Sequence, residues 1–262
     1  MFKATVYDLQ PDIIGVTESW ATDTIFDSEL HLDTYQVFRC DRNTGNRGGG
    51  VLLYVKEDLN PTEYNTNTVY GEQVWCHIGD LLVGVCYRSS NSAIVGHDNK
   101  TNLMKVLREV CNKHVLIMGD FNYPSIDWST STATQFSSSG CVEFVQTIED
   151  CFYTQHVLYP TRGSATLDLI LTTDPDLVSD VQIAPNLGNS DHNMITFTVH
   201  YEHEVPTNIR SVRDYHRGDY EQIRLELIKT DWDYELSGNM ESGINLKTYF
   251  CNWRTNTYRL KI

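Results

Sequence analysis

Apolar residues in this chain gather in short runs, and most of the runs end on a polar or acidic side chain. Val115-Leu-Ile-Met118 passes straight into Gly119-Asp-Phe-Asn122 and Pro124. A continuous apolar run of that length predicts a strand covered on both faces. Gly119 frees the backbone and Pro124 stops the ladder. Asp120 and Asn122, two apart, then point to the same side at the strand's carboxyl end. Gly-Asp and Asn-X-Pro are also turn-forming pairs, so this stretch taken alone reads equally as a turn.

The same pattern recurs along the chain. Ile13, Ile14 and Val16 predict a strand that runs out at Glu18, after a start with room for a helical turn or two. Residues 21 to 47 are polar, with turn signals at Asp33-Thr34 and Asn43-Thr-Gly45, and read as a loop with one short strand from Tyr35 to Phe38. Arg47-Gly-Gly-Gly-Val51 opens a strand with glycines; no Lys-Ser/Thr or helix follows, so it is neither a P-loop nor a dinucleotide fingerprint. Gln73 to Ile78 and Leu81 to Tyr87 flank Gly79-Asp80, a hairpin signal. Helical spacing is found in Asp98–Lys113 (Leu103, Val106, Leu107, Val110) and in Ser138–Asp150 (Val142, Val145, Ile148). Thr166–Thr172 is an apolar strand interrupted by Asp168, and Asn193–His200 alternates cleanly after Ser190-Asp-His192. Many strands with few helices predict an α/β protein whose two mixed β-sheets pack as a sandwich with flanking helices. After Pro206 the composition shifts, with an amphipathic helix expected inside Arg213–Trp232 (Tyr220, Ile223, Leu227). Residues 1–203 are read as the domain and 204–262 as a connector.

Composition supports a packed core: 40% of the 262 residues are hydrophobic and 11% aromatic, outside the range of disordered chains. No apolar run reaches the roughly 18 residues that span a bilayer, and the start lacks the apolar core of a signal peptide, so the reading is intracellular with no membrane. The seven cysteines (40, 76, 86, 111, 141, 151, 251) form no CxxC pair and read as reduced, mostly buried thiols. A net charge of −15 with pI near 4.9 argues against holding nucleic acid through a basic surface. It leaves open an enzyme that approaches phosphate through a bound cation.

Polar residues recur at strand ends: Glu18, Tyr87, Asp120 with Asn122, Asp168, and Asp191 with His192. A carboxylate inside Leu167-Asp-Leu-Ile-Leu171 needs a partner, because desolvating it alone costs several kcal/mol; His192 is the obvious one. Carboxylates, an Asn and a His around one point suit metal-assisted phosphodiester hydrolysis. Mg²⁺ takes oxygen ligands and is held by one or two carboxylates while substrate phosphate completes its shell; carboxylate, Asn and imidazole can manage the water and the developing charge.

Thr17-Glu-Ser-Trp20, Tyr87-Arg88, Gly119-Asp-Phe-Asn122, Leu167-Asp-Leu-Ile170 and Ser190-Asp-His192, in that order, resemble the endonuclease/exonuclease/phosphatase superfamily. Pro11–Trp20, Arg47-Gly-Gly-Gly-Val51, Tyr87-Arg-Ser-Ser-Asn91 and Thr161-Arg-Gly163 look more narrowly like the apurinic-type endonuclease domain of jockey-like LINE retrotransposons, over about residues 8 to 201. The resemblance implies a four-layer, DNase-I-like sandwich and a Mg²⁺-dependent DNA endonuclease, with Mn²⁺ as the other candidate ion, nicking target DNA in the nucleus. It implies Glu18 and Asp191 at the metal, Asp120 orienting or activating water, Asn122 at the scissile phosphate with Tyr87 beside it, and His192, oriented by Asp168, stabilising developing charge. Arg88 and Asn91 would contact the DNA backbone. Plainer readings stand beside these: Tyr87 as a core aromatic, Arg88 as a surface charge, Asp191 as a turn cap. The resemblance also implies a first strand, bearing an Asn of the metal site, without counterpart here, and a connector (Arg213–Trp232) leading to a covalently linked reverse transcriptase. The rival expectations are a catalytically degenerate retroelement fragment and a phosphoesterase of the same superfamily acting on a lipid or nucleotide.

Overall fold

The computed structural model describes residues 1–42, 48–90, 97–134, 138–202, 212–213, 224–225, 228–229 and 260–261. The chain divides into two compact units, Met1–Val205 and Pro206–Ile262.

The first unit is built on two sheets. It opens with helix α1 (Phe2–Leu9), then β1 (Ile13–Thr17), the single-turn α2 (Asp27–Leu30), β2 (Tyr35–Cys40) and β3 (Val51–Lys56). β3 lies between β1 and β2, antiparallel to both. Its sequence, Val-Leu-Leu-Tyr-Val-Lys, explains the central place, because five of its residues are buried and a strand covered on both faces has no polar alternation. The second sheet has six strands in the order β10-β11-β7-β6-β5-β4, where β4 is Thr62–Tyr64, β5 Gln73–Ile78, β6 Leu81–Cys86, β7 Val115–Asp120, β10 Thr154–Gln155 and β11 Asp168–Thr172. Helix α3 (His97–Val110) carries the chain from β6 to β7, the one parallel pair among the described residues; β8 (Ile126–Asp127), β9 (Thr132–Ala133) and α4 (Ser139–Asp150) follow β7. A separate antiparallel pair, β12 (Val178–Ala184) with β13 (Met194–Val199), closes the unit.

Three apolar clusters hold the layers together. Phe38, Val51, Leu53 and Val55 meet Val83, Val85, Leu116 and Ile170 between the sheets, with Ile183, Ile195 and Phe197 of the β12–β13 pair at the same core. On the other face of the six-stranded sheet, Leu103, Val106 and Leu107 of α3 and Phe144 and Ile148 of α4 cover Ile117 and Leu169. Val6 of α1 covers Leu52 and Tyr54 on the outer face of β3. The expected sandwich with flanking helices is the observed fold.

The periodic segments are the ones the sequence locates well. β12 it does not show, because a register shift between Ser179 and Gln182, with Asp180 at φ 53°, breaks the alternation. Asp168 does not interrupt its strand; it is the first residue of β11. Cys40, Cys76, Cys86, Cys111, Cys141 and Cys151 are free thiols, four of them buried. In the second unit Val212–Arg213 (β14) pairs with Leu260–Lys261 (β15). Tyr220, Ile223 and Leu227, which carry the expected amphipathic helix, lie outside the described residues, as do Asn43–Arg47 and Asn91. Among the described residues no helix is long and apolar enough to cross a membrane.

Candidate active site

Chain direction and register bring the polar strand ends to one place. β6 and β7 run parallel and finish together, at Tyr87–Arg88 and Asp120. β11 runs the other way, so it begins where they end, and its register sets Asp168 directly opposite Asp120. β1 crosses the inner face of this sheet: a Cβ on Gly15 would lie 2.5 Å from Met118 Sδ and 3.0 Å from Val85 Cγ2, and Gly keeps the approach open. Glu18 follows β1 and reaches Tyr87, whose hydroxyl donates to Glu18 Oε1.

Gly119 makes the turn into the site possible. Its φ is +148°, and a Cβ there would lie 1.9 Å from the Cys86 carbonyl oxygen. The Arg88 N–H then donates to Asp120 O and the Phe121 N–H to Leu167 O, extending pairing past the strand ends. Asn122 sits at φ 49°, a left-handed conformation Asn tolerates. Its backbone N–H donates to Asp120 Oδ1 at 2.9 Å, and its amide donates to Asp120 Oδ2 at 2.7 Å and to Arg88 O at 2.9 Å.

The Asp120 side chain is 3% exposed. Burial, then the charge of Asp168, raise its pKa to about 7, against the opposing pull of His192. His192 Nδ1 bonds Asp168 Oδ2 at 2.8 Å, while Nε2 faces Asp120 Oδ2 at 4.0 Å, longer than a hydrogen bond. The bond from Asp168 raises the His192 pKa despite partial burial. Burial and the Glu18 bond push the Tyr87 phenol up, so it acts as a donor. Asp120, Asp168 and His192 present ligand atoms all within 4.8 Å of one another, a group able to hold a metal ion. The two facing carboxylates, one of them buried and held partly protonated, are what a hard cation would neutralise.

The other expected residues have other surroundings. Asp191 is 68% exposed and ion-pairs with Arg162 at 2.5 Å; its slight burial acts upward, yet the Arg162 bond holds its carboxyl below the usual value. Neither Asp191 nor Glu18 belongs to the three-residue group. Arg88 turns inward: Nη1 donates to Phe121 O at 3.2 Å and Asn122 O at 2.8 Å, and the guanidinium lies 3.9 Å over the Tyr123 ring. It clamps the loop after β7. Asn91 lies outside the described residues.

Supporting residues come from distant segments, Arg42 and Glu72 without any signal in the sequence and Thr161 and the glycines before Val51 from motifs already named. Glu72 accepts two bonds from Arg42 at 2.9 and 2.8 Å and one from the Gly50 N–H at 2.9 Å, with both side chains of the pair almost fully buried. The Glu72 carbonyl accepts the Tyr87 N–H, and Gly50 O and Gly49 O accept the N–H groups of Ser19 and Trp20. Arg42 lies 5.5 Å from the centre of the Tyr87 ring. This pair therefore ties the Glu18 loop to Tyr87. Thr161 Oγ1 accepts the N–H groups of Leu167 and Asp168, and its carbonyl accepts the Asn193 N–H, fixing β11 and the His192 turn to one residue.

Residues 81–196 match the family model described as endonuclease-reverse transcriptase. No curated protein matches the chain. Among solved structures, the chain is similar to the endonuclease domain of TRAS1, a telomere-specific non-LTR retrotransposon (TM-score 0.56, 14% identity, 76% of this chain and 90% of that one). It is also similar to the AP endonuclease LMAP from Leishmania major (0.58, 14%, 76% and 81%) and to the APE2 catalytic domain of Xenopus laevis (0.51, 15%, 76% and 87%). The first unit therefore shares its fold with these endonuclease domains, and residues 81–196 within it match the endonuclease-reverse transcriptase family model.

Proposed function

We propose that this chain is a Mg²⁺-dependent DNA endonuclease that nicks target DNA for a retroelement, in the nucleus and linked to a reverse transcriptase. The carrying observation is the Asp120–Asp168 register pair with His192 across it. Glu18 and Asp191 are the proposed cation ligands, on the rim of the Asp120–Asp168–His192 group rather than within it; a bound cation would supply charge neutralisation and polarise a phosphoryl oxygen. Asp120, ionised, orients a water and accepts its proton, held at both oxygens by Asn122. His192, whose pKa the Asp168 bond at Nδ1 raises, would in its protonated form offer Nε2–H to the charge that builds on phosphate. The Tyr87 hydroxyl fixes Glu18.

A supercoiled-plasmid assay with Mg²⁺ tests this. The parent is expected to nick, and Asp120→Ala and His192→Ala each to slow nicking by about 10²-fold or more, the usual weight of a proton-transfer or charge-stabilising group. Equal nicking by all three would assign the activity to a contaminant. Turnover of a soluble phosphoester without nicking would place the same site on a lipid or nucleotide substrate.

A further inference from the structure

We infer that Arg162 forms a phosphate-binding position at the rim of the site, capped by Asp191 in the free protein and given over to a backbone phosphodiester when polynucleotide binds. This deepens the nuclease reading and rests on it. Of the three arginines placed around the site, Arg42 is 6% exposed and committed to Glu72, and Arg88 is committed to two backbone carbonyls. Arg162 is 46% exposed, and its partner Asp191 is 68% exposed. An ion pair that open to water is weak, so a phosphate with its own charge and bidentate geometry can replace the carboxylate.

The position is fixed although the side chain is open. Arg162 pairs with Ala165 in a bridge across a tight turn, with Gly163 at φ +58° and open space around it. Thr161, one residue earlier, is bonded to Leu167, Asp168 and Asn193. Arg162 therefore follows a residue tied to the start of β11 and to the turn after His192, and its charge reaches the His192 ring. A polyanion entering a site with this many carboxylates meets repulsion first. A guanidinium at its edge, shielded by Asp191 until the substrate arrives, gives the strand a place to anchor.

The test is binding of a short DNA duplex by the full chain with Mg²⁺, in a His192→Ala background so that cutting does not obscure it, measured by fluorescence anisotropy across a salt series. Arg162→Ala is expected to weaken binding roughly tenfold and to flatten the slope of log Kd against log salt by about 0.9, one phosphate contact's worth. Arg162→Lys should keep most of the slope. In EDTA, where no cation is lost with the carboxylate, Asp191→Asn should tighten binding only while Arg162 is present. An unchanged slope in an Arg162→Ala chain that melts like its parent overturns the proposal, as does a parent that does not bind DNA. Loss of orthophosphate competition with DNA affinity intact would assign Arg162 to a free phosphate and also overturn it. Plasmid nicking with no Arg162 effect leaves the nuclease reading standing without this one; an Arg162 effect without nicking does the reverse.

Discussion

Asp120 carries the proposed proton transfer, and its environment gives it a measurable signature. An unfolded Asp releases its proton near 3.8, whereas here the folded chain holds it to about 7. Between those values the folded state carries a proton that the unfolded state has lost, so stability falls as pH rises through the window. His192 acts in the same direction: its folded pKa is raised, so the stability it contributes at acid pH is lost as pH rises through that value. Stability in EDTA is therefore expected to fall from about pH 4 to pH 7, by up to roughly 4 kcal/mol for Asp120 at 1.36 kcal/mol per pH unit, and Asp120→Asn should remove most of the slope. A flat profile in the parent would mean that Asp120 is not desolvated. Arg88 makes a second residue-scale prediction. Because it clamps the carbonyls of Phe121 and Asn122 rather than facing outward, Arg88→Ala should lower kcat for nicking through a loosened Asp120, with KM and the salt slope for DNA unchanged. A raised KM at constant kcat would return Arg88 to the DNA.

At the scale of elements, the strand ends were legible and their supports were not. Gly119-Asp-Phe-Asn122 reads from sequence as a strand end because apolar run, Gly and Pro lie side by side, and β7 ends at Asp120. The site lies where β6, β7 and β11 meet, so motifs at those ends converge. What no local pattern shows is a partner fixed only by three-dimensional packing: Arg42 with Glu72, Thr161 with Asp168 and Asn193, or the direction of the Arg88 side chain. Two substitutions probe the elements. Gly119→Ala would force a Cβ into the Cys86 carbonyl at an unfavourable φ; a cost of about 3 kcal/mol is expected, read by denaturant unfolding, and a cost below about 1 kcal/mol would mean the β6–β7 ends can part. For the buried ion pair, Arg42→Met or Glu72→Leu alone should cost roughly 3–5 kcal/mol by leaving one charge unpaired, while the double variant should recover most of that. If the pair serves to hold Glu18 against Tyr87, nicking will not recover with stability; recovery of both would make it a packing element only.

For the whole molecule, charge sets the terms of any encounter with DNA. With 20 Lys and Arg against 35 Asp and Glu, the chain as a whole repels a polyanion, and a protein that binds through many lysines and arginines would be built otherwise. The fold compensates locally: it gathers carboxylates at one end, where a divalent cation can bridge protein and phosphate. Two consequences can be measured together. If the proposed function holds, chelation should abolish nicking and also weaken duplex binding severalfold or more, because the cation would be part of the binding surface. The dependence on monovalent salt should stay shallow, with a slope well short of the roughly −5 to −9 of a protein making about 6–10 phosphate contacts. A steep slope with binding indifferent to EDTA would point to a basic surface outside the site. A shallow slope restored by millimolar Mg²⁺ would locate the recognition of phosphate at the strand ends, and there the loss of one contact at Arg162 would remove a large share of the total.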